Sequence, residues 1–259
     1  MYSHYQEKEG CTSLSKELKS LKLIELGLVC LKKNGTFAEK IKGQETVLVI
    51  LGGQCRIKTG NYSFPLLGKR KDPFAGKATA LYLPPYTSYD IIGESDCEIA
   101  VCKVRARRKG KPILISPDKV RLRKAGKDNF KRDVYDIVDE RIKAEHIVVG
   151  ETINEKGNWS SYPPHKHDRD NLPLESKQEE LYFFKLEPPD GFGVIRLYNK
   201  KSDKIFTIKN NDVIAIPRGY HPVGVIPGYR IYYLWILAGK KRILKPSDDP
   251  KYSWVKEEG

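Results

Sequence analysis

No stretch of this 259-residue chain approaches the roughly 20 consecutive apolar residues that a membrane-spanning helix needs. The first residues, MYSHYQEKEGCTSLSKELK, lack the apolar segment of a secretory signal, which points to a cytosolic protein. Cysteine is sparse and dispersed. Cys11, Cys30, Cys55, Cys97 and Cys102 are odd in number and have no CxxC spacing, so neither a zinc knuckle nor a disulfide framework is implied. Cys55, Cys97 and Cys102 fall in apolar runs, where a reduced thiol packs as a small hydrophobe. Long segments with a 3.6-residue apolar period are missing as well, which argues against a helical bundle. Histidine occurs only five times, and three of the five fall in two short stretches.

Basic charge is plentiful, with a formal net of +14. Between Lys103 and Arg132 thirteen Lys and Arg residues face only Asp118 and Asp128, a local net of +11. No aromatic residue interleaves with them before Phe130, so the stacking platform of a single-strand binder is absent. A solvated basic surface without a specific nucleic-acid partner is the expectation, and non-specific polyanion binding at low salt stays open.

From Leu21 onward the chain reads as short apolar or alternating runs broken by Gly, Pro, Asn and Asp, among them LIELGLVCL, TVLVILGGQCRI and CEIAVCKV. Runs of five to nine residues rich in β-branched and aromatic side chains predict an all-β fold. A second series begins at HIVVGETI and continues through ELYFFKLEP, GFGVIRLYN and YRIYYLWILAG. ALYLPPYTSYDI matches VIAIPRGYHPVGV when Pro84 is laid on Pro217, and ETVLVIL at Glu45 matches EELYFFK, so one β-fold is repeated. The expected organisation is a loose polar arm over 1–20 with a short helix near Leu14–Leu21, a first barrel over 21–105 and a basic connector over 106–132. A second barrel over 133–245 and an irregular tail over 246–259 complete it. Closing such strands into jelly-roll barrels removes exposed edges and leaves an interior that can hold a ligand.

The chemistry concentrates in GNWSSYPPHKHDRDNLPLESKQEELY and IPRGYHP. Residues i and i+2 of a strand share a face, so His165 and His167 project together. The same rule puts Glu180, Tyr182 and Phe184 on one face and turns Glu179 to the other. His221 follows Pro217 and Gly219 at a turn that can aim an imidazole. Three imidazoles and a carboxylate suit one divalent first-row ion, zinc or manganese first, iron or nickel next. On HxH alone, surface histidines in a proline-rich loop would be the simpler reading. The spaced PxGxH element, at the matching place of the repeat, favours the metal.

These residues resemble the cupin family, whose first motif is HxH followed by Glu and whose second is Gly, five residues, Pro-x-Gly and His. Here the second reads N-DVIAI-PRG-Y-H. Asn211 replaces the opening Gly, which Asn can do because it tolerates left-handed backbone. One residue instead of two separates Gly219 from His221, and twelve residues separate His167 from Glu180 where most cupins have three or four. GNWSSYPPHKHDRDNLPLES, EELYFF, GFGVIRLY, PRGYHPV and, in the first half, LGKRKDPFAGKATALYLPP resemble the 5-deoxyglucuronate isomerase family of myo-inositol catabolism. The resemblance implies two tandem cupin-type jelly-roll barrels, with metal ligands His165, His167, Glu180 and His221 in the second. It further implies interconversion of 5-deoxy-D-glucuronate and 2-deoxy-5-keto-D-gluconate. In the first barrel Ser88 stands at the place of His221 and no HxH precedes Glu45, so that copy is degenerate and expected to be structural or dimer-forming.

Aldose–ketose isomerisation moves one hydrogen between neighbouring carbons, and the proton route passes through a cis-enediolate whose two oxygens a divalent ion can hold. Asp168 and Glu175, on the inserted loop, are candidate bases. Glu180 could exchange between ligand and base, while a hydride shift needs no base. For the substrate carboxylate the candidates are Lys166, Arg169, Arg196 and Arg218, and for its hydroxyls Tyr182, Tyr198 and Tyr220. Packing or surface solvation is the other reading of each. Three alternatives stand beside the isomerase: another sugar isomerase, a metal-dependent cupin dioxygenase, and a sugar-sensing or nucleic-acid-binding cupin without activity. The expected partners are a small uronate and further copies of the chain in a homo-oligomer, with no membrane.

Overall fold

The computed structural model describes residues 1–6 and 8–256. Each half of the chain closes a large antiparallel sheet over a four-stranded one. In the first barrel the six-stranded sheet runs Ile113–Ile115, Thr79–Leu83, Gln44–Gly52, Cys97–Arg105, Ile24–Leu31, Gly10–Ser13. It faces Thr36–Lys40, Ser88–Gly93, Cys55–Thr59 and Tyr62–Leu67. In the second barrel the seven-stranded sheet runs Tyr2–His4, Asp212–Ile216, Glu179–Glu187, Arg230–Ala238, Ile147–Asn154, Arg132–Val138, Arg121–Ala125. Opposite lie Trp159–Ser160, Val223–Val225, Gly193–Asn199 and Ser202–Ile208. The expected all-β architecture of two tandem cupin barrels is therefore what the chain adopts. Among the described residues no helix is long and apolar enough to cross a membrane.

The uninterrupted apolar runs have a physical cause. Successive residues of a strand point to opposite faces, and the two large sheets pack against each other, so both faces of their central strands are buried. Leu48 and Ile50 point into the first barrel, while Val47, Val49 and Leu51 enter the core between the sheets. Tyr182 and Phe184 point into the second barrel, while Leu181 and Phe183 join the same inter-sheet core. Each such side chain contributes about 1.5–3 kcal/mol when fully buried. The barrels thus stabilise each other as well as themselves.

Polar groups cross the same interface. Arg70, from the first barrel, meets Glu151 of the second in a fully buried ion pair, and Tyr232 donates to the same carboxylate at 2.8 Å. Glu45, also fully buried, accepts the backbone N–H groups of Glu145, His146 and Ile147 at 2.6–2.7 Å.

Three expectations need correction. The first twenty residues are not a loose arm, and no helix forms near Leu14. Tyr2–His4 is an edge strand of the second barrel and Gly10–Ser13 an edge strand of the first. The Tyr2 hydroxyl and His4 Nδ1 reach the buried Asp212 carboxylate at 3.1 and 2.7 Å, and Leu14 and Leu18 pack into the inter-sheet core. The basic segment 106–132 is divided between the barrels, Ile113–Ile115 pairing with Thr79–Leu83 and Arg121–Ala125 with Arg132–Val138. Two of its arginines are answered locally: Arg121 and Arg123 share Asp136, and Arg121 also meets Asp139 and Glu140. Finally, the tail is not wholly irregular, because Ser247–Asp248 pairs with His165–Lys166.

Candidate metal centre

His165 and His167 enter the second barrel from the short strand held by Asp248 and Ser247, Glu180 from the start of Glu179–Glu187, and His221 from the turn after Asp212–Ile216. Left-handed backbone is needed at both ends of that strand: Asn211 supplies it at the turn before, with φ +68°, and Gly219 at the turn after, with φ +96°. At the corresponding turn of the first barrel Tyr86 also has positive φ, which supports the alignment of Pro84 with Pro217.

The four residues converge. Glu180 Oε2 lies 2.9 Å from His167 Nε2 and 3.2 Å from His221 Nε2. Ligand atoms of these three buried residues all fall within 4.8 Å of one another. The His165 ring sits 4.7 Å from that of His221 and 6.4 Å from that of His167, half-buried on the open side.

Hydrogen bonding fixes which nitrogens face inward. His167 Nδ1 donates to the Gln178 carbonyl and His221 Nδ1 to the Gly219 carbonyl, both at 2.9 Å. In the neutral tautomers so defined, both Nε2 atoms carry lone pairs aimed at one carboxylate oxygen, and buried His221 Nε2 has no hydrogen-bond partner. A cation between them would satisfy such a buried set of acceptors. Two ligands at right angles, each about 2.1 Å from an ion, lie about 3 Å apart. The donor set and its spacing therefore fit a first-row divalent ion.

The electrostatics agree. Burial holds the His165 imidazole well below its usual range, with His221 adding to the effect. At His167 burial acts the same way, but the adjacent Glu180 carboxylate outweighs it and raises the group. Burial alone would raise Glu180, yet the His167 and His221 rings against it keep the carboxyl well below the usual range. Tyr182 is pushed far up by burial and by Glu180, so its hydroxyl keeps its proton.

A cavity of 630 Å³ opens from this cluster. His165, His167, Glu180 and Tyr182 line it, with Ser161, Tyr233, Trp235 and Leu237 as walls. Of the other candidates, only Tyr182 faces it; its hydroxyl is 3.3 Å from that of Ser161. Asp168 accepts from the Gly219 N–H at 2.7 Å and so braces the His221 turn. Glu175 is buried under the inserted loop, paired with Lys166 and accepting from the N–H groups of Asp168 and Arg169. Arg196 lies on the outer face, bidentate to Asp203 and stacked on Tyr198, and Arg218 is exposed. Tyr198 donates to Asp249 at 2.6 Å and stacks near Tyr220 outside the cavity. Ser161, Tyr233 and Arg132 were missed in the sequence. Strand parity could have found Arg132, because Arg132, Val134 and Asp136 alternate onto the cavity side.

The model of the KduI/IolB family matches residues 2–255. A 5-deoxy-glucuronate isomerase of Geobacillus kaustophilus is 37% identical over 98% of this chain and 94% of its own length. One of Bacillus subtilis strain 168 is 35% identical over 92% and 89%. An IolB-like crystal structure from Salmonella typhimurium LT2 superposes with a TM-score of 0.95 at 30% identity, covering 98% of each chain. An oxalate decarboxylase of Lactobacillus farciminis, 12% identical with a TM-score of 0.71 over 100% of this chain and 90% of its own, shares the fold.

Proposed function

The chain belongs to the KduI/IolB family, and on that premise we propose that it is an isomerase converting 5-deoxy-D-glucuronate to 2-deoxy-5-keto-D-gluconate in the cytosol. The observation that carries this reading is the pair of Nε2 lone pairs turned toward Glu180 at the closed end of a cavity sized for a sugar acid. His165, His167, Glu180 and His221 would hold one divalent ion, zinc or manganese before iron or nickel. When bound there, the ion supplies positive charge to the two oxygens of the reacting carbons.

The remaining work belongs to the chain. The protonated Tyr182 hydroxyl, beside Ser161, is placed to donate a hydrogen bond to a sugar oxygen next to the cluster. Tyr233, Trp235 and Leu237 wall the reacting carbons off from bulk water and so strengthen every charge interaction inside. Asp168 and Glu175 act by holding the loop and the His221 turn in place, since their oxygens are engaged by backbone N–H groups. Among the expected bases this leaves Glu180 facing the substrate. Assembly into dimers or larger forms through the first barrel belongs to the same reading, and light scattering tests it.

Turnover of 5-deoxyglucuronate in deuterated water, followed by proton NMR, tests the activity. The ketose should appear with solvent deuterium at the carbon that receives the proton. Oxygen consumption without ketose would instead indicate a dioxygenase.

A further inference from the structure

We propose that Arg132 grips the carboxylate of the substrate, fixing the acid end of the chain within the cavity that holds the histidine cluster. The proposal rests on the isomerase reading above, since it presupposes a uronate.

Arg121, Arg123, Arg132, Arg242 and Lys256 are the Lys and Arg residues that line the cavity. Arg121 and Arg123 are engaged by Asp136, with Asp139 and Glu140 also on Arg121. Arg242 donates its three nitrogens to the backbone carbonyls of Ile147, Ile142 and Asp139. Lys256 is paired with Asp248. Arg132 differs. Its Nη1 donates to the carbonyls of Phe130 and Tyr162 at 3.1 and 3.0 Å, which fixes the guanidinium against the segment that leads to His165. Among the described residues its Nε and Nη2 have no protein partner, and no carboxylate lies within ion-pair distance of it.

A half-buried guanidinium without a counter-ion is costly, and one immobilised by two carbonyls has little freedom to find one elsewhere. Its open edge, Nε and Nη2, is the edge that grips a carboxylate with two parallel hydrogen bonds. Asp136, Asp139, Glu140 and Asp248 also line the cavity, but they are taken up by Arg121, Arg123 and Lys256, and Arg242 spends all three nitrogens on carbonyls, so Arg132 is the lining guanidinium with an edge left for an entering anion. A uronate has its carboxylate at the opposite end from its aldehyde. Seating the acid on Arg132 therefore directs the aldehyde end toward His165, His167 and Glu180.

The test compares 5-deoxyglucuronate with 5-deoxyglucose, which carries a hydroxymethyl group in place of the carboxylate, in wild type, R132M and R132K. The ratio of kcat/KM for the acid over the neutral sugar should fall about 100-fold in R132M. In R132K it should fall about tenfold, because an ammonium keeps the charge and loses the paired geometry. R132K carries the test if R132M does not fold. A ratio unchanged in the variants, with both substrates falling together, overturns the proposal. If wild type turns over neither sugar, 5-deoxyglucuronate is titrated into the same proteins by calorimetry. Binding lost in the variants then upholds the anchor while the isomerase reading falls. Binding equal in all three overturns the anchor.

Discussion

Glu45 and Glu179 occupy corresponding places in the two barrels and make the same contact in opposite directions. Thr46 pairs with Leu83 just before Pro84, and Glu180 pairs with Ile216 just before Pro217, so the residue preceding each is equivalent. Glu45 accepts the backbone N–H groups that lead into Ile147–Asn154, and Glu179 accepts those of Lys22 and Leu23, which lead into Ile24–Leu31. Each barrel thus holds the entry of a strand of the other. Glu45 also takes the Tyr82 hydroxyl at 2.9 Å and is fully buried. Glu45→Ala leaves those donors without an acceptor and should cost about 3–5 kcal/mol. The partly exposed Glu179→Ala should cost less. Urea unfolding of both variants checks the order, and equal losses would contradict it.

Gly219 reaches the metal centre through its own backbone. Its carbonyl holds His221 Nδ1, its N–H is held by Asp168, and a Cβ there would lie 2.7 Å from the Tyr198 carbonyl oxygen at φ +96°. Gly219→Ala should therefore displace His221 and lower metal affinity about 10–100-fold, in the range found for orienting partners of ligands. Competition with a fluorescent chelator measures this. Affinity equal to wild type would show that the turn does not set the ligand.

Glu175 makes the inserted loop sensitive to acid. Burial raises its carboxyl, but the Lys166 ion pair and the Asp168 and Arg169 N–H groups outweigh this and hold it below the usual range. A depressed folded value means that its stabilisation is complete above the unfolded value of about 4.3 and fades as pH falls through the folded one. Glu175→Gln should cost about 1–3 kcal/mol at pH 7. The gap to wild type should close as pH drops below about 4. Thermal melts across pH 3–7 follow it. A gap constant over that window would mean that the charge of Glu175 is irrelevant.

Much of the centre was legible because its rules are local. Strand parity turned Glu180 inward and Glu179 outward, and Glu179 does reach the other barrel. The left-handed tolerance of Asn predicted Asn211 at φ +68°. What escaped depends on contacts distant in sequence. Nothing in MYSH announces an edge strand whose partner, Asp212–Ile216, lies some two hundred residues on. The basic run is largely exposed as expected, but its pairing of Arg121 and Arg123 was hidden because Asp136, Asp139 and Glu140 come later in the chain. Counting Arg132 in that run concealed its inward phase with Val134. Glu175 looked like a free loop acid because its partners are backbone N–H groups, which have no sequence signature.

The central claim is that His165, His167, Glu180 and His221 hold one divalent ion on which activity depends. Elemental analysis of purified wild type and His221→Ala, each assayed with 5-deoxyglucuronate, tests it directly. The account predicts about one equivalent of a first-row divalent ion in wild type and little in the variant. It also predicts a loss of turnover of at least about 100-fold, because removing a ligand empties the site that supplies the charge. Full activity in His221→Ala, or in metal-free wild type, would contradict it.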